Sequence, residues 1–229
     1  MPFSQKSIDF LIENKIHDSK EWYQEHKGLY VEFLLEPFVE LAARLGPAML
    51  KIDPQLIVEP RVDRTLSRIY RDTRFSKDKS LYRENMWMVF MREKKLYEGL
   101  PAFYFDLSPQ GFSYGMGYYQ ASAASMEAIR QMVLDSAAPY KKADKVFRKQ
   151  DIFSMEGEAY KRSKYPDLPL EKREWLDKKN ISINCHSGDF DLLFSERLSE
   201  TLSDGFLLLA PIYDFLCLAE VRRGTAKHS

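Results

Sequence analysis

Apolar residues recur at helical spacing through the first fifty positions. Phe3, Ile8, Leu11 and Ile12 form one stripe. Trp22, Tyr23, Leu29, Tyr30, Phe33 and Leu34 form a second, at three- and four-residue steps. Asp18 followed by Glu21 has the form of a capping box and predicts the start of that second helix. Pro37 suits the first turn of a third helix carrying Phe38, Leu41, Ala42 and Leu45. Gly46-Pro47 should disturb this helix and Asp53-Pro54 should end it.

The period then changes. Leu56–Glu59 is a short apolar run, and MWMVFM at Met86–Met91 predicts a buried strand. Phe103–Ser108, a turn at Pro109-Gln110-Gly111, and Phe112–Tyr119 predict a β-hairpin. Gly115 and Gly117 alternate within its second strand. Such glycines mark a bend or bulge, or a place where a ligand approaches the backbone. Helical spacing returns over Ser125–Ala137 and from Pro139 through Arg148. Ile152–Pro169 reads as irregular, Pro169–Lys178 as a short helix with Trp175 and Leu176 inward, and Ile181–Cys185 as a strand. Two helices, Asp191–Ser203 and Phe206–Arg222, flank Gly205, and residues 223–229 predict a frayed, disordered tail. Helices at both ends with strands between them predict an α+β fold. The expected form is a single domain over residues 1–222, with a central, mostly antiparallel sheet and helices from the N- and C-terminal parts of the chain.

Composition narrows the function classes. A chain of 229 residues can bury about 70–75% of its unfolded surface. Zero net charge argues against a general nucleic-acid coat protein, which needs a broad positive surface. The longest apolar stretch, Phe206–Ala210 continuing to Tyr213, falls short of the roughly 20 residues of a membrane span, so no membrane partner is expected. The N-terminal segment lacks a signal-peptide pattern. Cys185 and Cys217 lie outside any CxxC motif and are expected to be buried thiols, which fits a cytoplasmic location. His17, His26, His186 and His228 have no metal-ligand spacing, so neither a metal nor a cofactor is expected. Trp22, Trp87 and Trp175 are expected in the core.

The charge is unevenly placed. Arg61, Arg64, Arg68, Arg71, Arg74, Lys77, Lys79 and Arg83 face only Asp63, Asp72 and Asp78 in the same stretch. Arg61 to Arg71 are spaced as one face of a short helix that Asp63 would cap. Phe75 should anchor the following loop, which runs directly into the predicted strand MWMVFM. Arginine offers a planar fork that grips phosphate or carboxylate oxygens in pairs. The candidate anion-binding residues are therefore Arg68, Arg71, Arg74, Lys77, Lys79 and Arg83, with Lys161 and Arg162 from a second basic segment. Asp72 and Asp78 read as counter-ions or as a general base, and Tyr82 as a hydrogen-bond donor or a packing residue. Three readings follow: a site for a phosphorylated or carboxylated small molecule, enzymatic or not; a structural network of internally paired arginines; or a nucleic-acid-binding module. Oligomeric state leaves no mark in the sequence.

The string RIYRDTRFSKDKSLYREN resembles the signature of the domain of unknown function 2461 family of conserved proteins. The resemblance extends to FLIENKIHDSKEWYQEHK, YGMGYY, EAYKRSKYP and PIYDFL. It implies one conserved globular unit and brings no activity, substrate or catalytic residue. Family members usually carry proline after the DKS triplet, where this chain has Leu81.

Overall fold

An antiparallel sheet forms the centre of this α+β protein, its strands lying in the order Met86–Phe90, Ala102–Ser108, Gly111–Gly117, Ser182–Ser187 and Ser154–Glu156. The computed structural model describes residues 3–74, 77–93 and 99–225. Strands are β1 (Met86–Phe90), β2 (Ala102–Ser108), β3 (Gly111–Gly117), β4 (Ser154–Glu156) and β5 (Ser182–Ser187). Helices are α1 (Gln5–His17), α2 (Lys20–Tyr30), α3 (Glu36–Ile52), α4 (Ala123–Leu134), α5 (Ala138–Arg148), α6 (Leu170–Leu176), α7 (Phe190–Leu193) and α8 (Leu198–Thr225). The chain divides into two compact units: residues 1–90, 104–114 and 186–204, and residues 91–103, 115–185 and 205–229. Strands β2, β3 and β5 each contribute residues to both.

In the first unit, α1 buries Ile8 and Leu11, and Phe3 meets Phe38 edge-to-face and stacks on Phe105, at centroid distances of 5.0 and 6.0 Å. A π-helical segment, Val31–Leu35, joins α2 to α3 without a break. Pro37 sits in the first turn of α3, and the helix runs through Gly46-Pro47 to Ile52, because Leu45 and Met49 bury one face across the disturbance. Alternation in β1 and in the part of β2 that belongs to this unit buries Met86, Met88 and Phe90, then Phe105 and Leu107.

In the second unit, Trp175 is fully buried among Tyr140, Phe147 and Phe215, and its indole N–H donates to Asp144. Of the expected core tryptophans, Trp175 alone is fully enclosed; Trp22 and Trp87 are half-exposed. The thiols Cys185 and Cys217 are half-buried rather than fully buried.

Other expectations need correction. The hairpin turn has two residues, Pro109-Gln110, since Gly111 already belongs to β3. Ser154–Glu156, within the stretch read as irregular, pairs antiparallel with β5 through Ser154–Asn184 and Glu156–Ser182. The helix does not break at Gly205: α8 continues through Gly205 and Pro211, with Phe206, Leu209 and Tyr213 buried. By length and composition that helix would suffice to cross a membrane, yet half of its apolar window is buried within the protein. Residues 223–225 extend α8, and the rest of the expected tail lies outside the described residues.

Arg61–Arg71 is not a helix. The segment is a series of turns and isolated bridges, Val62–Leu66, Leu66–Met88 and Tyr70–Tyr82, with Asp63 in the left-handed region at φ 68°.

Candidate functional site

The basic segment closes into a loop at a defined neck. The Tyr70–Tyr82 bridge is flanked by Arg71 N–H donating to Leu81 O at 2.8 Å and Arg83 N–H donating to Ile69 O at 3.0 Å. Below the neck, Tyr82 is fully buried against Tyr23 and Tyr70, with centroids 5.2 and 4.9 Å away. Its hydroxyl lies near that of Tyr70 without meeting hydrogen-bond geometry, and burial pushes the phenol well above its usual range. Tyr82 thus sits as a packing residue under the loop, poorly placed to titrate.

Asp18 clamps the loop from the opposite side. It ends α1 in the left-handed conformation, φ 43° and ψ 39°, which few side chains other than Asn and Asp adopt readily. Its Oδ1 accepts the backbone N–H groups of Leu81 at 2.7 Å and Tyr82 at 3.0 Å. Asp18 therefore does not cap α2. Ser19 does, accepting from Trp22 N–H. Lys15 of α1 adds a third tie, donating to Ser80 Oγ at 2.9 Å. Neither Lys15 nor Asp18 stood out in the sequence as a partner of this loop. Each lies more than sixty residues from its contact, and local spacing carries no signal of that.

Within the loop Arg71, Arg74 and Lys79 are held in place. Arg71 reaches Asp78 at 2.8 Å, and Lys79 Nζ donates to Thr73 O at 2.8 Å. Arg74 grips Asp72 with two nitrogens, at 3.0 and 2.7 Å. Arg83 Nε donates to Tyr70 O, and its guanidinium lies over the Trp87 ring at 4.5 Å. Lys77 is exposed, and Phe75, the expected anchor, lies outside the described residues. Upstream, Arg68 makes a two-pronged pair with Asp63, while Arg61 and Arg64 both turn to Glu59. The helical face of four arginines is thus replaced by local pairs with acids two to seven residues away. Lys161 and Arg162 belong to the second unit, where both are exposed on the irregular segment after Tyr160.

These pairings set the acidity of the two aspartates. Bonds from the Arg74 side chain and backbone hold Asp72 down to about 2. Asp78 is also lowered, first by the backbone N–H and hydroxyl of Ser80, then by Arg71 and Lys15. Carboxylates held this low are weak bases at neutral pH and suit the counter-ion role. Because its folded pKa lies below the unfolded value, Asp72 contributes stability above that unfolded value, which is lost as pH falls toward about 2. A carboxyl-carbon NMR titration should place its midpoint near 2, and Arg74→Ala should return it toward the ordinary range near 4. A midpoint near 4 in the unsubstituted protein would mean that the Arg74 pair does not form in solution.

The family model described as conserved hypothetical protein (DUF2461) matches residues 6–215. The chain belongs to that family. No curated protein matches it. In this DUF2461 protein, the HDS segment at His17–Ser19 and the SLYR segment at Ser80–Arg83 are the two sides of the Asp18 clamp. The residue after DKS, Leu81, uses its backbone N–H in that clamp. A proline there has no N–H to give, so with proline at this position the clamp would keep only the bond to Tyr82.

Proposed function

We propose that the protein binds a small phosphorylated or carboxylated molecule on the Arg71–Arg83 loop. Arg74, Lys77 and Lys79 supply exposed donors, and Arg68 and Arg83 flank them. The observation that carries this reading is the placement of the cations. Six cationic side chains lie between Arg68 and Arg83; Arg68 pairs with Asp63, the stretch itself offers the others only Asp72 and Asp78 as acids, and its neck is tied by backbone bonds and by Asp18 and Lys15. A neck fixed in advance spares a ligand part of the cost of ordering the cations beside it. Exposed ion pairs contribute only about 0–1 kcal/mol each, so an anion with several oxygens can share or displace the aspartates at small cost. With both aspartates held below the carboxylate range, the reading is one of binding rather than acid–base catalysis.

Pyrophosphate, inorganic phosphate and citrate, each tested by thermal shift at low ionic strength, decide it. A bound anion at 100 times its dissociation constant should add about 2.7 kcal/mol, which is roughly 5–10 °C for a chain of this size. Arg74→Ala should abolish most of that shift and leave the ligand-free protein folded with a cooperative transition, since the pair is exposed. The competing reading, a purely structural arginine network, expects the reverse: a destabilised Arg74→Ala protein and no response to any anion.

A further inference from the structure

A second feature of the first unit lies apart from the arginines. The end of the β2–β3 hairpin and the 186–188 segment enclose an open depression of ≈ 410 Å³. Its lining includes Asp106, Gln110, Ser113, His186 and Ser187, and no lysine or arginine among the described residues. Alternation along β2 places Phe105 and Leu107 in the core and turns Asp106 to the other face.

Asp106 is unusual for a half-buried carboxylate. Its one hydrogen bond among the described residues comes from the neutral Asn85 amide, Nδ2 to Oδ2 at 2.7 Å, and it forms no ion pair there. Burial, only partly offset by that bond, pushes its carboxyl above the usual range. A carboxylate drawn out of water without a cation is costly to the fold unless something else neutralises it. The surrounding groups are hydroxyls, an amide and an imidazole. They can donate or accept to hydroxyls and offer an anion no fixed charge.

We propose that this depression binds a small hydroxylated primary amine, with the ammonium group seated on Asp106 and the ligand hydroxyls on Ser113, Gln110 and Ser187. The volume falls within the range of about 300–1,000 Å³ usual for small-molecule sites and admits a molecule of amino-sugar size. The site is independent of the arginine loop and stands or falls separately from it.

D-glucosamine and D-glucose are the probes. They share a ring and differ in one amine, and calorimetry in an amine-free buffer measures both. Glucosamine should bind at least about tenfold more tightly than glucose, the lower end of what one charge-assisted hydrogen bond contributes. Asp106→Asn should erase that preference, and Ser113→Ala should weaken both sugars. Arg74→Ala should leave glucosamine binding unchanged, which keeps this test separate from that of the anion site. Asp106→Asn removes a partly desolvated charge, so it should fold with a Tm equal to or above that of the unsubstituted protein. Equal binding of glucose and glucosamine would replace the amine site with a neutral polyol site and overturn the proposal. So would glucosamine binding that survives Asp106→Asn, or no binding of either sugar.

Discussion

Asp18→Ala is expected to destabilise the protein by about 3 kcal/mol, measured by denaturant unfolding. Two terms add. The first is the loss of two hydrogen bonds to a charged acceptor, each worth about 1.5–3 kcal/mol net, partly recovered where water reaches the half-exposed Leu81 N–H. The Tyr82 N–H belongs to a fully buried residue and recovers less. The second term is conformational, because alanine at φ 43° lacks the side chain that makes the left-handed region tolerable, at a cost of about 1 kcal/mol. Asp18→Asn separates the two. Asparagine keeps the left-handed preference and one carbonyl acceptor, so it should lose only about half as much. If alanine costs under 1 kcal/mol, the clamp is not a structural tie.

The same substitution tests how the loop works, because two physical effects act in opposite directions. Asp18 carries a negative charge beside a cationic loop. If only Coulomb forces mattered, its removal would tighten anion binding. If Asp18 acts by positioning Leu81 and Tyr82, and through them Arg71 and Arg83 across the neck, its removal should weaken binding. Pyrophosphate affinity at a temperature where Asp18→Ala is still folded is expected to fall by about tenfold, the effect of 1.4 kcal/mol of lost preorganisation. Tighter binding would assign Asp18 a merely electrostatic role.

Much of the α+β architecture was legible in the chain because burial on one face writes a period into the sequence. The strand MWMVFM, the Phe103/Phe105/Leu107 alternation and the helices around Ile129 and Tyr140 all follow it. The departures have two physical causes. Local propensity yields to burial: Pro47, Gly205 and Pro211 all sit inside helices whose apolar faces are covered. Charge spacing is a weak guide to helix. The steps of three and four from Arg61 to Arg71 imitate a helical face, but Glu59 and Asp63 lie close enough in sequence to pair with Arg61, Arg64 and Arg68 in turns, and Arg71 turns to Asp78. The clamp was illegible for a third reason. Asp18 and Ser19 are both good cap formers, and only the fold shows that Ser19 takes the helix and frees Asp18 for a contact 63 residues away.

Glycine to alanine at two positions should give opposite signs, and the difference separates propensity from packing. A Cβ at Gly115 in β3 would lie 2.1 Å from the Ile183 carbonyl oxygen and 2.9 Å from the Asn184 Cα. Both atoms are backbone of the neighbouring β5, so nothing can rotate away, and β3 and β5 must separate. The glycines of the YGMG segment thus make room for the next strand: a Cβ at Gly117, where φ is +157°, would meet the Ile181 carbonyl oxygen at 2.5 Å. Gly115→Ala should therefore destabilise the fold by about 3 kcal/mol or more, at the upper end of overpacking costs. At Gly28, exposed in α2, an added Cβ meets nothing within 4 Å. Gly28→Ala should stabilise by about 0.5–1 kcal/mol through the unfolded chain and helix propensity. Paired unfolding curves of the two variants settle the matter. A Gly115→Ala protein as stable as the unsubstituted one would mean that β3 and β5 do not approach as closely in solution.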